Sequence, residues 1–139
     1  MKGINWVGVI AAVVVGQVIG FLWYGMIFEE QWRALSGVTP AGDEANTAMA
    51  LGVVNQLVVA VGLAWLIGKT GNATLVGGAL AGALAGVFFA ATTAAQNFIY
   101  GQADTGLIPI DIGYLLIAYT AMGAVIGAVK LGSRSAAAA

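Results

Sequence analysis

From Leu75 to Tyr100 the chain reads LVGGALAGALAGVFFAATTAAQNFIY, without one charged residue. A helix rising ~1.5 Å per residue over that length crosses the ~30 Å hydrocarbon core of a bilayer. Gly78, Gly82 and Gly86 recur every fourth residue, so a helix stacks them on one face. Ala90 and Ala94 continue the ridge. In a water-exposed helix interior each glycine costs ~1 kcal/mol. In lipid the same residues let a neighbouring backbone come close, and that packing replaces the missing hydrophobic drive. The far end of the run turns polar at Thr92, Thr93, Gln96 and Asn97. The stretch is therefore expected to be a membrane span, a packing surface at one end and a polar wall at the other.

The rest of the chain agrees with lipid as solvent. Of 139 residues, 8% are charged and 60% hydrophobic. A soluble domain carries roughly 25% charged residues, so too few are present to coat a water-facing surface. The net charge of -1 leaves no basic footprint for nucleic acid. Cys and His are both absent. Thiol catalysis, disulfides, Cys/His zinc sites and His-ligated haem are thereby excluded, and no metal or cofactor is expected.

Three further apolar runs fit spans, giving spans over about 4–24, 47–67, 75–100 and 109–130. Lys2 ahead of the first run also suits a cleaved signal peptide. However, the run is long enough to cross and ends in Trp23-Tyr24, interface anchors like Trp6 and Trp32 rather than a small-residue cleavage site. Gly16 and Gly20 give span one its own small pair, and Gly123 and Gly127 do the same in span four. Between spans one and two, Phe28, Trp32 and Leu35 share one face of a short helix expected to lie in the interface. Thr39-Pro40 fits the edge of another turn. Phe21-Leu22-Trp23-Tyr24-Gly25 and Phe98-Ile99-Tyr100-Gly101 echo one another at span ends, as an old duplication or as ordinary interface composition.

Four spans put both termini and the 69–74 link on one side, with Lys2, Lys69, Lys130 and Arg134. The other side receives Glu29, Glu30, Asp43, Glu44, Asp104 and Asp111, with Arg33 the lone base. Basic residues stay cytoplasmic. The expected architecture is an all-α integral membrane four-helix bundle of the bacterial inner membrane, one domain over 1–132, with both termini cytoplasmic. Residues 133–139 are expected to form a disordered tail.

Counted from the outer span ends, Gln17, Asn55, Gln56, Thr92 and Thr93 come out ~10–13 Å deep. Gln96 and Asn97 lie above them, and Tyr114 is ~8 Å below Pro109. Amides in hydrocarbon are costly unless bonded. Two readings follow. One is an outward polar cavity lined by these groups, with Asp111 and Tyr114 at its mouth. The plainer one is a set of interhelical hydrogen bonds fixing register, each worth about 0.6–2 kcal/mol. Glu29 and Glu30 point ~100° apart on a helix and share no site. Asp104 and Asp111 read as loop or cap residues. The Gly77-Gly82 run lacks the strand and acid of a dinucleotide loop.

Several stretches together resemble a family of small bacterial four-span membrane proteins, domain of unknown function 1761. They are Ile4-Asn5-Trp6, Gly20-Phe21-Leu22-Trp23-Tyr24-Gly25 with Trp32, Ala90-Ala91-Thr92-Thr93-Ala94 with Asn97, Asp111-Ile112-Gly113-Tyr114, and Met122-Gly123-Ala124-Val125-Ile126-Gly127. The resemblance spans nearly the whole chain and implies the fold, not a reaction. Leu115 departs from it, since members often carry His after the Tyr.

Two functions are expected from these features. The first is a non-enzymatic bundle that associates through its glycine ridges, with itself or as an accessory subunit of a larger membrane complex. It assumes that one of the three ridges stays free for a partner. The alternative is a carrier or binder of a small neutral or weakly polar molecule in the outward cavity.

Overall fold

The computed structural model describes residues 3–39 and 41–129. Expectations resting on Lys2, Pro40, Lys130, Arg134 and the 133–139 tail lie outside them. Every regular element among the described residues is helical. Four helices are long and apolar enough to cross a membrane: Trp6–Ile27 (α1), Asp43–Thr70 (α3), Leu75–Ile99 (α4) and Thr105–Ala128. The last begins with a 3-10 turn, Thr105–Leu107, and continues as the α-helix Ile108–Ala128 (α5). The short helix Glu29–Ser36 is α2.

Local chemistry sets the ends. Asn5 caps α1 by accepting from the Gly8 amide at 3.0 Å. Glu29 and Glu30 open α2 where the helix dipole favours an anion, and Arg33 reaches back to Glu29 at 2.9 Å. Gly37 ends α2 at φ 67°, a left-handed position that suits glycine. Asp43 and Glu44 start α3 four residues earlier than the apolar run suggests, because they favour a first helical turn. Gly71, at φ 68°, ends it. Thr74 caps α4 through the Gly77 amide, and Pro109 sits in the first turn of α5.

α5 is the central helix, packed against α1, α3 and α4, and it separates α1 from α4. Antiparallel packing brings the start of α1 beside the end of α5, where the Asn5 amide donates to the carbonyls of Ile126 and Val129. The first and last described residues therefore approach one end of the bundle. The main buried cluster is Val9, Ala12, Ala60, Leu63, Ala64, Ile67, Ala81, Ala85, Met122 and Ile126. It fills the half nearest Asn5 and Val129. In α3 nothing before Ala60 is buried, and in α4 nothing after Gly86 is. At the end that carries α2, Leu107 and Ile110 are buried, but α3 and α4 contribute no buried residue there.

The apolar face of α2 turns onto the protein. The Phe28 ring lies 4.8 Å from that of Trp23, and the Trp32 ring 5.5 Å from that of Tyr24. Leu35 packs against Gly106, whose missing Cβ would sit 3.0 Å from Leu35 Cδ1. The two aromatic echoes are not equivalent. Trp23 and Tyr24 are half-buried, whereas Ile99 and Tyr100 are 66% and 82% exposed.

Candidate functional site

The α4–α5 seam is built on glycine. A Cβ on Gly78 would fall on the Gly123 carbonyl oxygen, one on Gly82 on that of Tyr119, and one on Gly127 on that of Thr74. A Cβ on Gly123 would in turn lie 3.0 Å from the Gly82 Cα. Only glycine permits backbones this close. At Gly86 the approach relaxes, the nearest atom being Tyr119 Cβ at 3.3 Å. There α4 takes a π turn, Gly86–Ala91, a feature frequent at functional sites. Beyond it the helices part.

Their divergence leaves a groove of about 480 Å³ lined by Phe89, Ala90, Thr93, Ala94, Gln96, Asn97, Leu115 and Tyr119. Phe89, the two alanines and Leu115 form apolar walls. Thr93, Gln96, Asn97 and Tyr119 bring hydroxyl and amide groups, and none carries a charge at neutral pH. Among the described residues these four side chains form no hydrogen bond. Tyr119 rests on the core at the groove's floor.

A separate polar cluster joins α1, α3 and α5. Tyr24 Oη donates to Asp111 Oδ1 at 2.9 Å, and Gln56 Nε2 donates to Tyr114 Oη at 3.0 Å. The two tyrosine rings meet edge to face at 5.0 Å. Trp23 Nε1 donates to the Ile110 carbonyl at 2.9 Å. Gly16 and Gly20 make room for this cluster: a Cβ on Gly16 would lie 2.8 Å from Gln56 Oε1, and one on Gly20 3.4 Å from Tyr114 Oη. Gln56 Oε1 is buried without a hydrogen-bond partner among the described residues.

The single polar layer expected from depth is thus divided. Gln56, Asp111 and Tyr114 meet in the cluster, while Thr93, Gln96 and Asn97 line the groove. Thr92 is spent on its own helix, donating to the Phe88 and Phe89 carbonyls at 2.7 and 3.1 Å. Asn55 is exposed on α3, and half-buried Gln17 joins neither set. Equal depth says nothing of azimuth. Neighbours such as 55 and 56, or 92 and 93, point ~100° apart, so an inward position for one does not place the other. The expectation of a free glycine ridge is also corrected. All seven ridge glycines face atoms of this chain, Gly16 and Gly20 against Gln56 and Tyr114 and the other five along the α4–α5 seam. Of the aromatic anchors, Trp6 is 49% exposed, whereas Trp23, Tyr24 and Trp32 pack inward. Tyr119 is a site residue missed from sequence, and Tyr24, read there as an interface anchor, belongs to the cluster. A phenol well inside an apolar span needs a partner, and that was the available signal.

The cluster brings together stretches far apart in the chain, Gly20-Phe21-Leu22-Trp23-Tyr24 and Asp111-Ile112-Gly113-Tyr114. Besides the bonds above, a Cβ on Gly113 would lie 3.2 Å from the Trp23 ring. These are two of the stretches that carry the family resemblance, and each fits the other. A family model described as "Protein of unknown function (DUF1761)" matches residues 7–127. No curated protein and no solved structure matches the chain. With the match running through all four long helices and both halves of the polar cluster, the chain belongs to the DUF1761 family.

Proposed function

We propose that this multi-pass membrane protein binds or carries a small neutral or weakly polar molecule in the groove between α4 and α5. One observation carries the reading. Four side chains able to donate or accept hydrogen bonds line one groove, and none is paired within the described protein. Unbonded amides in an apolar setting are costly, so a ligand that bonds them gains what the protein leaves unmet. The absence of charge from the lining favours a neutral molecule over an ion. The role is non-enzymatic: the groove offers amides, hydroxyls and apolar walls, without a carboxylate or other strong acid or base.

Association through the glycine ridges is the less favoured reading, because those glycines are packed against this chain's own backbone and side chains. Register-fixing hydrogen bonds describe Gln56 and Tyr114 well, but not the groove residues. In the proposed orientation both chain ends face the cytoplasm of a bacterial inner membrane. Lys69 near their end, and Glu29, Glu30, Asp43, Glu44 and Asp104 near the other, support it. The groove then opens in the outer leaflet, and α2 lies along that surface.

The test is native mass spectrometry of the protein released from lipid nanodiscs, comparing the wild type with a Gln96→Leu, Asn97→Leu double variant. A bound non-lipid mass present on the wild type and lost from the folded double variant is the expected result. The same masses on both would overturn the reading.

A further inference from the structure

Asn55 is an exposed carboxamide near the middle of α3, about 18 Å along the axis from Asp43 and about 22 Å from Thr70. Among the described residues its side chain has no hydrogen-bond partner. An amide facing hydrocarbon leaves two donors and an acceptor unmet. Gly52, Asn55 and Gly62 follow one another at intervals of three and seven residues, a spacing that suits a seam between two helices crossing at a shallow angle; Val59, on the flank of that face, packs on this chain's own core. A Cβ on Gly52 or Gly62 would meet nothing within 4 Å. These two glycines, unlike the ridge glycines, are not used inside the chain.

We propose that two copies of this chain pair through α3, with Asn55 hydrogen-bonded to Asn55 of the partner subunit. The occupant follows from the geometry of a membrane. Two copies with the same topology are related by an axis along the bilayer normal, which brings each seam residue to its own counterpart at one depth. Only a group that both donates and accepts can satisfy itself across such an axis, and a carboxamide does so reciprocally. The open glycines on either side of Asn55 let the helices approach. This pairing stands independently of the groove, which α3 does not line.

The chain contains no Cys, so one introduced thiol reports one position. Oxidative cross-linking in liposomes is expected to join Gly52→Cys copies efficiently. It should join Val54→Cys copies poorly, since residue 54 lies at nearly the same depth but ~200° around the helix. Both side chains point to open space, Val54 being 57% exposed, so folding is preserved. Adding Asn55→Leu to Gly52→Cys should lower the association constant roughly 3- to 30-fold, read as the protein-to-lipid ratio at half cross-linking, while Asn55→Gln retains most of it. Adding Asn97→Leu, in the groove, should leave it unchanged. Equal cross-linking at 52 and 54, no dimer from Gly52→Cys, or indifference to Asn55→Leu would each overturn the proposal.

Discussion

Tyr24, in the last turn of α1, gives its hydroxyl hydrogen to the carboxylate of Asp111, in the first turn of α5, at 2.9 Å. The bond ties together the two helix ends that also share the Trp23–Ile110 contact. Tyr24→Phe leaves a half-buried carboxylate without its protein donor and is expected to destabilise the fold by about 1–3 kcal/mol. Asp111→Asn keeps an acceptor and should cost less. A double-mutant cycle with Tyr24→Phe and Asp111→Leu, followed by thermal unfolding in detergent, should give strong coupling between the sites. Simple additivity of the two losses would mean that the bond contributes nothing of its own.

Packing between α4 and α5 makes a graded prediction. Gly82→Ala forces its methyl onto the Tyr119 carbonyl, an atom that moves only with its helix. It is expected to cost about 1–3 kcal/mol by overpacking. Gly86→Ala meets nothing closer than Tyr119 Cβ at 3.3 Å and should cost less than half as much. Melting temperatures of the two variants decide the matter, and a reversed order would show that the seam is not where the helices press closest.

The short helix α2 is held by aromatic contacts rather than by burial. Trp32→Ala removes its edge contact with Tyr24, worth about 0.5–1.5 kcal/mol beyond area. Amide hydrogen exchange over 29–36 should quicken, with little change in the four long helices. Unchanged exchange in α2 would mean that Leu35 against Gly106 suffices to hold it.

The spans were legible because lipid demands long uncharged runs, and a run such as Leu75 to Tyr100 admits few other readings. The ridge at Gly78, Gly82 and Gly86 was legible as a packing surface for the same reason. Its partner was not, since spacing marks a face but not what covers it. The pairing with Gly123 and Gly127 depends on α5 lying at the centre of the bundle. The polar residues were half legible. Depth follows from counting along the helix, but azimuth needs the orientation of each helix, so Asn55 and Gln56 were counted together though only Gln56 turns inward. The π turn at Gly86–Ala91 has no sequence signature, so although Thr93, Gln96 and Asn97 were legible as cavity residues, their separation from Gln56, Asp111 and Tyr114 was not.

Asn5 serves two helices at once. Its side-chain oxygen accepts from the Gly8 amide, capping α1, while its nitrogen donates to carbonyls at the end of α5. The last carbonyls of a helix have no partner within it, so this nitrogen satisfies groups that otherwise need water. Asn5→Ala loses both functions and is expected to destabilise the fold by about 1–3 kcal/mol. Asn5→Asp separates them. It retains the cap acceptor, which alone would make it milder than alanine, but it sets a negative oxygen against the negative end of α5. If the bond across to α5 outweighs the cap, the aspartate variant will melt no higher than the alanine variant. An aspartate variant as stable as wild type would mean that the cap is all Asn5 contributes, and that α1 and α5 need no pin at this end.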